Sequence, residues 1–97
     1  MKFQWDYRKA VENTRKHGAS FDEAVTVFRD RWAFVFDDEA HSVKEHREII
    51  IGYSILNRLV LVCFTEREED VVRIFSARRT TKREQKDYEE NAKHSTP

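Results

Sequence analysis

The sequence predicts one α+β domain: a helical hairpin, then a four-stranded antiparallel sheet, then a C-terminal helix. Capping signals bracket two short amphipathic segments before residue 30, aromatic and β-branched runs follow, and another capping signal precedes the last segment. Ninety-seven residues suit a single domain. We predict that residues 1–92 form it and that residues 93–97 are a frayed tail.

The first third of the chain carries signals that begin and end two helices. Asp6 can cap a helix over 7–17, and Gly18 suits the left-handed residue that follows it. The segment Ser-Phe-Asp-Glu at 20–23 is a capping box, in which the serine oxygen accepts from the glutamate amide and the glutamate side chain reaches back. It predicts a second helix over 21–28, so the two helices form a hairpin.

Four runs rich in β-branched and aromatic residues predict strands at 32–36, 48–53, 58–65 and 71–76. Short connections join the last three, which favours an antiparallel meander. The second and third strands are almost continuously apolar. We therefore expect them at the centre of the sheet, covered by helices on one side, although a buried helix has the same pattern.

A second capping box, Thr-Lys-Arg-Glu at 81–84, predicts a helix over 82–91. This segment is polar nearly all round, and Tyr88 is its one large apolar side chain. Such a helix buries little surface. We expect it to lie on the surface of the domain or to pack against a partner.

The composition excludes several classes of function. The single cysteine, Cys63, lies in an apolar run and is expected to be a structural thiol, so the chain can form neither an internal disulfide nor a cysteine-based metal cluster. No zinc-protease, Cys-x-x-Cys or EF-hand motif is present, and two glycines are too few for a phosphate-binding loop. We expect no cofactor. The polar N-terminus and the lack of a long apolar run predict a cytoplasmic protein that does not associate with membranes.

The formal net charge is zero, but the charges are unevenly distributed. Residues 37–48 contain five acidic and two basic side chains, whereas residues 71–86 contain six basic and one acidic. This pattern fits either ordinary solvated surface or a dipolar molecule with a phosphate-binding stripe near its C-terminal end. A mean charge of zero does not exclude a nucleic-acid partner, because phosphates interact with the local field.

Basic side chains concentrate around the junction of the last predicted strand and the last predicted helix. They are Arg67, Arg73, Arg78, Arg79, Lys82, Arg83 and Lys86. Guanidinium groups bind phosphate oxygens bidentately and stay charged, so this cluster fits binding of an RNA backbone and stabilisation of a more highly charged transition state. The alternative is a solvated helix whose cations pair with Glu84, Asp87 and Glu89.

RNA cleavage without a metal also needs an acceptor for the 2′-hydroxyl proton and a donor for the leaving oxygen. By residue type the candidates are His41, His46, Glu84 and Tyr88. Each of these alone is more often an ordinary surface residue, although histidine titrates nearest neutrality. His17 is better explained by its place at a helix C-terminus, and His94 lies in the predicted tail.

The chain resembles the BrnT toxin family in three segments. FQWDYRKAVENTRKHGASFDEAVTVF contains that family's W-D-x-x-K-A and K-H-G-x-S-F-x-E-A patterns, and EHREIIIGYS contains its E-x-R-x-x-x-I-G element. VCFTERE and VVRIFSARRTTKREQKDYEE resemble its ending, T-x-R followed by R-I-I-S-A-R-x-A-x-x-x-E-x-x-x-Y. The segments occur in order over residues 3–90. Phe75 and Thr80 depart mildly from the common ending, where Ile and Ala are frequent.

This resemblance implies a RelE-like fold and a metal-independent ribonuclease that inhibits translation. It also implies a cognate BrnA-like antitoxin in a toxin–antitoxin hetero-oligomer, with DNA contacted only through that complex. Among site residues it implies Arg67, Arg78 and Arg79 for phosphate and transition-state charge, with Glu84, Tyr88 and His46 as candidates for proton transfer. The alternative function is a non-catalytic binding module that docks an antitoxin or nucleic acid through the basic strip.

Overall fold

The computed structural model describes residues 1–95, which fold into a mixed sheet with helices on both of its faces. The strands are β1 (Lys2–Gln4), β2 (Phe34–Asp37), β3 (Glu48–Tyr53), β4 (Leu59–Arg67) and β5 (Val71–Arg79). The helices are α1 (Tyr7–His17), α2 (Phe21–Val27) and α3 (Lys82–Ser95), and Glu39–His41 form a short 3-10 turn. The end of the predicted tail, residues 96–97, lies outside the described residues.

The sheet has the strand order β1-β5-β4-β3-β2. Strands β2 to β5 are antiparallel neighbours, as the sequence predicted, but β1 pairs with β5 in parallel, with Phe3 opposite Val72. The prediction of a four-stranded antiparallel sheet is therefore wrong, and the RelE-like description does not match exactly. β1 escaped the prediction because it is three residues long and contains one apolar side chain.

Capping chemistry fixes the helical hairpin where the sequence predicted it. Asp6 accepts a hydrogen bond from the Lys9 amide at 3.0 Å, and Gly18 has the left-handed φ of 67° and donates to the Thr14 carbonyl. Ser20 Oγ accepts from the Glu23 amide at 3.0 Å. The second half of this predicted capping box does not form, because the Glu23 carboxylate binds Arg58 and Ser54 instead.

The main core lies between the sheet and the hairpin of α1 and α2, a side that we name the hairpin face. Its largest members come from all layers: Phe21, Val27, Ile50, Val60, Val62, Phe64, Val72 and Ile74. Aromatic rings pack edge to face within it, and the ring centroids of Phe28 and Phe64 are 5.0 Å apart. Asn13 then ties α1 to β5, because its side chain bonds both the N–H and the carbonyl of Ala77.

The opposite side of the sheet, which we name the α3 face, carries a smaller core. Ile51, Leu59 and Leu61 pack there with Tyr88 of α3, which is only 5% exposed. The Tyr88 hydroxyl donates to Asp30 Oδ2 at 2.7 Å. The terminal helix thus packs on the sheet of its own chain through one aromatic side chain, and it extends to Ser95, beyond the predicted end at 91.

No helix among residues 1–95 is both long enough and apolar enough to cross a bilayer.

Candidate active site

The α3 face carries a row of arginines on neighbouring strands. Side chains alternate between the two faces of a strand, and Val72 and Ile74 enter the hairpin core, so Arg73 projects to the α3 face. Arg73 pairs with Thr65 in the ladder, and Arg67 follows two residues later on the same face of β4. Arg78 pairs with Leu61, a member of the α3-face core. The fold thereby places three of the predicted arginines on one face of the sheet, in a row along the ladder of β4 and β5.

A bulge interrupts the ladder between these arginines. Cys63 pairs with Ser76 and Phe64 pairs with Ile74, so Phe75 is the extra residue on β5. A bulge re-aims the side chain of the inserted residue. Here the Phe75 ring supports the guanidinium of Arg47, whose Cζ lies 3.9 Å from the ring centroid. The bulge thus adds an arginine to this face.

Arg78 is held in a fixed orientation by Glu84. Arg78 Nη1 and Nη2 each donate to one oxygen of the Glu84 carboxylate at 2.9 Å, and Glu84 Oε1 also accepts from the Thr81 amide. The predicted capping box at 81–84 is confirmed, since Thr81 Oγ1 accepts from the Glu84 amide in return. The Arg78 guanidinium lowers the pKa of Glu84, which keeps that carboxylate ionised and makes it a weak base.

Arg79 does not join Arg78. It pairs with Val60 of the hairpin core, and its exposed charge acts on Glu23 under that hairpin. Because successive strand residues point to opposite faces, the sequence pair Arg78-Arg79 is divided between the two sides of the sheet. The sequence prediction grouped the two because it ended this strand at residue 76.

The cations of α3 lie in a mixed charge environment. Lys82, Arg83 and Lys86 are exposed and line a shallow groove with Asp87 and Glu90. Acidic and basic side chains are therefore mixed along this helix. This agrees with the alternative expectation from the sequence, a solvated helix with charges of both signs. These three cations extend the basic surface from the sheet along α3 without forming a cluster of one sign.

The groups predicted for proton transfer do not converge. The Tyr88 hydroxyl is bound to Asp30, and burial raises its pKa far above the ordinary tyrosine value. His46 Nε2 lies 3.1 Å from Asp37 Oδ1, and His41 Nδ1 lies 2.9 Å from Asp38 Oδ2. Glu84, as described above, is engaged by Arg78. Among the described contacts of these groups, only the Glu84 carboxylate binds an arginine of the α3 face.

Asp37, His46 and Glu48 have ligand atoms within 4.8 Å of one another, which is close enough to hold a metal ion. Asp37 and Glu48 are ladder partners, and Glu48 shares its face with Ile50 of the hairpin core. This group therefore lies away from the arginines. Cys63 is half-buried on the α3 face, where burial raises the pKa of its thiol, in keeping with the predicted structural role.

A family model for the ribonuclease toxin, BrnT, of type II toxin–antitoxin systems matches residues 5–84. The chain belongs to the BrnT family. The fold is similar to the crystal structure of the Brucella abortus ribonuclease toxin, BrnT, with a TM-score of 0.65 and 25% sequence identity. The two chains align over 84% of this one and 99% of the Brucella chain. A search of curated proteins returns no match.

The BrnT motifs acquire distinct structural meanings in this chain. The K-H-G-x-S-F-x-E-A segment is architectural, since Gly18, Ser20 and Glu23 each hold the hairpin together. The I-G element ends at Gly52, where a Cβ would lie 3.1 Å from both Asp30 Oδ2 and Val27 Cγ1. Any larger residue at position 52 would force these neighbours to shift by a few tenths of an ångström, because β3 approaches the end of α2 closely there.

Sequence reasoning missed two BrnT motif residues that border the arginine row. In the E-x-R element, Arg47 Nη2 lies 3.6 Å from Glu45 Oε1, and Glu45 Oε2 lies 3.7 Å from Arg67 Nη2. The motif itself was the available signal, but Glu45 and Arg47 stand in a polar loop far along the chain from Arg67. Their proximity depends on the pairing of β3 with β4.

Proposed function

We propose that this BrnT-family chain is a metal-independent endoribonuclease that inhibits translation by cutting RNA. The single observation that carries the proposal is the alignment of Arg67, Arg73 and Arg78 on one face of the sheet. Three guanidinium groups on adjacent strands offer bidentate donors to successive phosphates of one RNA strand. Rigid strands also hold those donors in place before the substrate arrives.

The chemistry that fits such a surface is attack of a ribose 2′-oxygen on the adjacent phosphorus. The P–O5′ bond breaks, so the products are a 2′,3′-cyclic phosphate and a 5′-hydroxyl, with the 2′ proton removed and one proton delivered to O5′. Negative charge builds on the phosphoryl oxygens in the transition state. Arginines fixed at those oxygens stabilise that charge, which is typically worth roughly 100-fold or more in rate per donor.

The remaining predicted residues take different roles in this proposal. Glu84 orients Arg78 through its bidentate contact, and Lys82, Arg83 and Lys86 guide the RNA strand along α3 by charge. Tyr88 positions α3 through Asp30 and does not transfer a proton itself. Arg79 and His46 lie outside the arginine row and contribute to RNA binding at most through long-range charge.

Membership of a type II toxin–antitoxin family motivates the proposal of a protein antitoxin. We assign it as a cognate BrnA-like protein that forms a hetero-oligomer with this chain and supplies any contact with DNA. An acidic segment of the antitoxin laid over the arginine row would block the site on which RNA binds. Its binding is then expected to weaken with added salt.

A second candidate function is a non-catalytic module that binds RNA or the antitoxin through the same arginines. The observation in its favour is that Tyr88, Glu84 and His46 all have intramolecular partners. It predicts salt-dependent binding of RNA without cleavage.

Incubation of the purified protein with single-stranded RNA in EDTA separates these functions. The ribonuclease proposal expects cyclic-phosphate products and no cleavage of a 2′-deoxy substrate. In cells, it expects co-expression of the proposed antitoxin to prevent the RNA cleavage. Bound but intact RNA would favour the binding module. Cleavage that requires an added divalent ion would refute metal independence.

A further inference from the structure

Two pairs of arginines differ in how tightly their acidic partners hold them. Arg58 and Arg78 each bind both oxygens of a glutamate, at 2.6–2.9 Å. Arg47 and Arg67 share the single carboxylate of Glu45, at 3.6 and 3.7 Å. Charge-assisted hydrogen bonds are about 2.7–2.9 Å long, so Glu45 offsets one of the two positive charges without satisfying the donors of either arginine.

Arg47 also has a hydrogen-bond donor that lacks an acceptor. Its Nε is buried, and no acceptor among the described residues lies within hydrogen-bonding distance of it. The guanidinium plane is nevertheless fixed, because it stacks on Phe75 at the bulge. A buried donor without an acceptor is costly, so an anion that took the place of Glu45 and supplied an acceptor to this side chain would relieve that cost.

The carboxylate of Glu45 marks a place where an anion fits. Its carboxylate lies between two guanidinium groups on the border of the arginine row, where an open groove is lined by Gln4, Glu45, Glu66, Arg67, Glu68 and Val71. A phosphodiester has the same charge as a carboxylate and two free oxygens with a wider reach. We propose that Arg47 and Arg67 form a further phosphate subsite for the RNA backbone, and that Glu45 occupies this subsite in the free toxin.

This proposal rests on the RNA substrate proposed above, and it predicts a self-inhibiting contact. RNA must displace Glu45 from Arg47 and Arg67 before a phosphate can bind there. Removing the Glu45 charge therefore tightens RNA binding, whereas removing the Arg47 guanidinium weakens it. Glu45 is a positioning residue, since it acts through the two arginines.

The test measures binding of a short 2′-O-methyl RNA, which cannot be cleaved, by fluorescence anisotropy at several salt concentrations. E45Q is expected to bind about fivefold more tightly than the wild type and to show a steeper dependence on salt, since two cations are freed for phosphates. The matched control is E12Q. It removes the same charge from an exposed arginine and lysine pair on α1, on the other side of the sheet.

The role of Arg47 is tested with R47A in both backgrounds. R47A alone is expected to weaken RNA binding about tenfold. The increase in RNA affinity caused by E45Q should be smaller when Arg47 is already replaced by Ala than in the wild-type background. If R47A does not fold, R47K takes its place, because lysine keeps the charge but lacks the planar guanidinium. R47K is also expected to reduce the increase in RNA affinity caused by E45Q. Equal affinities of E45Q and E12Q would overturn the subsite, as would an undiminished gain without Arg47.

The two proposals fail in different ways. A wild type that cleaves RNA while E45Q binds no better than E12Q refutes the subsite and leaves the ribonuclease intact. A wild type that cleaves nothing while E45Q binds better than E12Q refutes the ribonuclease and supports the subsite.

Discussion

Arg58 binds both carboxylate oxygens of Glu23, with Nε 2.7 Å from Oε2 and Nη2 2.6 Å from Oε1. The same Nη2 donates to the Gly18 carbonyl, and Ser54 donates to Glu23 Oε2. The pair thus joins the turn between the two N-terminal helices to the turn between β3 and β4. The Glu23 side chain is only 3% exposed, so the contact is shielded from solvent.

Loss of this pair should destabilise the fold without altering the arginine row. R58A leaves the Glu23 carboxylate buried with Ser54 as its remaining side-chain donor. A buried carboxylate deprived of its partner costs about 3 kcal/mol. We expect urea unfolding of R58A at a much lower midpoint than the wild type.

R15A is the matched control for R58A, because it breaks an exposed pair with Glu12 on α1. Exposed pairs contribute little to stability, so its midpoint should stay close to the wild type. Similar midpoints for R58A and R15A would contradict the structural role assigned to the buried pair.

The buried pair also predicts how stability depends on pH. Arg58 lowers the pKa of Glu23 below its ordinary value of 4.5. The associated stability is therefore fully present above pH 4.5 and is lost as the pH falls through the lower folded value. R58A removes the largest of the influences that lower the pKa of Glu23, so this pKa should be higher in the variant than in the wild type.

The loss of stability in R58A should therefore be larger at about pH 7 than at about pH 4, since acid neutralises the unpaired carboxylate. Urea titrations of the wild type and R58A at both pH values measure this difference. A loss that is independent of pH would show that Glu23 is not the group responsible.

Y88F should separate a structural role of Tyr88 from a catalytic one. The variant keeps the ring against Leu59 and Leu61 but removes the hydrogen bond to Asp30, which also accepts from the amides of Trp32 and Tyr53. We expect a loss of about 1–2 kcal/mol in unfolding free energy. The rate of RNA cleavage at saturating substrate should change little, because the hydroxyl is bound to Asp30 and is not available to a substrate.

Quenched-flow or gel assays at a temperature where both proteins are folded provide this measurement. A large loss of rate in Y88F with unchanged stability would restore Tyr88 as a proton donor.

Local signals predicted the helical hairpin and the central strands well. Asp6 and Gly18 define α1 through their own side-chain and backbone chemistry, and the predicted range of β3, 48–53, is the observed one. Such signals act over a few residues and need no knowledge of the rest of the fold. β1 has no such signal, since its pairing with β5 connects residues that are about seventy positions apart.

The candidate site was harder to predict, because strand length and face decide which residues meet. β5 continues to Arg79, three residues beyond its predicted end, and this continuation sends Arg78 and Arg79 to opposite faces. The bulge at Phe75 and its stacking on Arg47 likewise depend on the register between β4 and β5. Charge counts along the chain do not contain this information.

The division of Arg78 from Arg79 leads to a direct comparison of two adjacent substitutions. Each removes one guanidinium and the same charge, but Arg78 lies in the arginine row and Arg79 lies on the hairpin face. We expect R78A to lower kcat/KM for RNA cleavage roughly 100-fold and R67A to do the same, because each removes a fixed donor to a phosphate of the RNA backbone. R79A should remain within a few-fold of the wild type.

The comparison includes its own control for general electrostatic attraction. Long-range steering depends on net charge, which R78A and R79A change equally, and it fades as salt is added. A difference between the two variants that persists at high salt must therefore come from a local contact. Equal losses for R78A and R79A at every salt concentration would mean that the α3 face is not the surface on which RNA is cut.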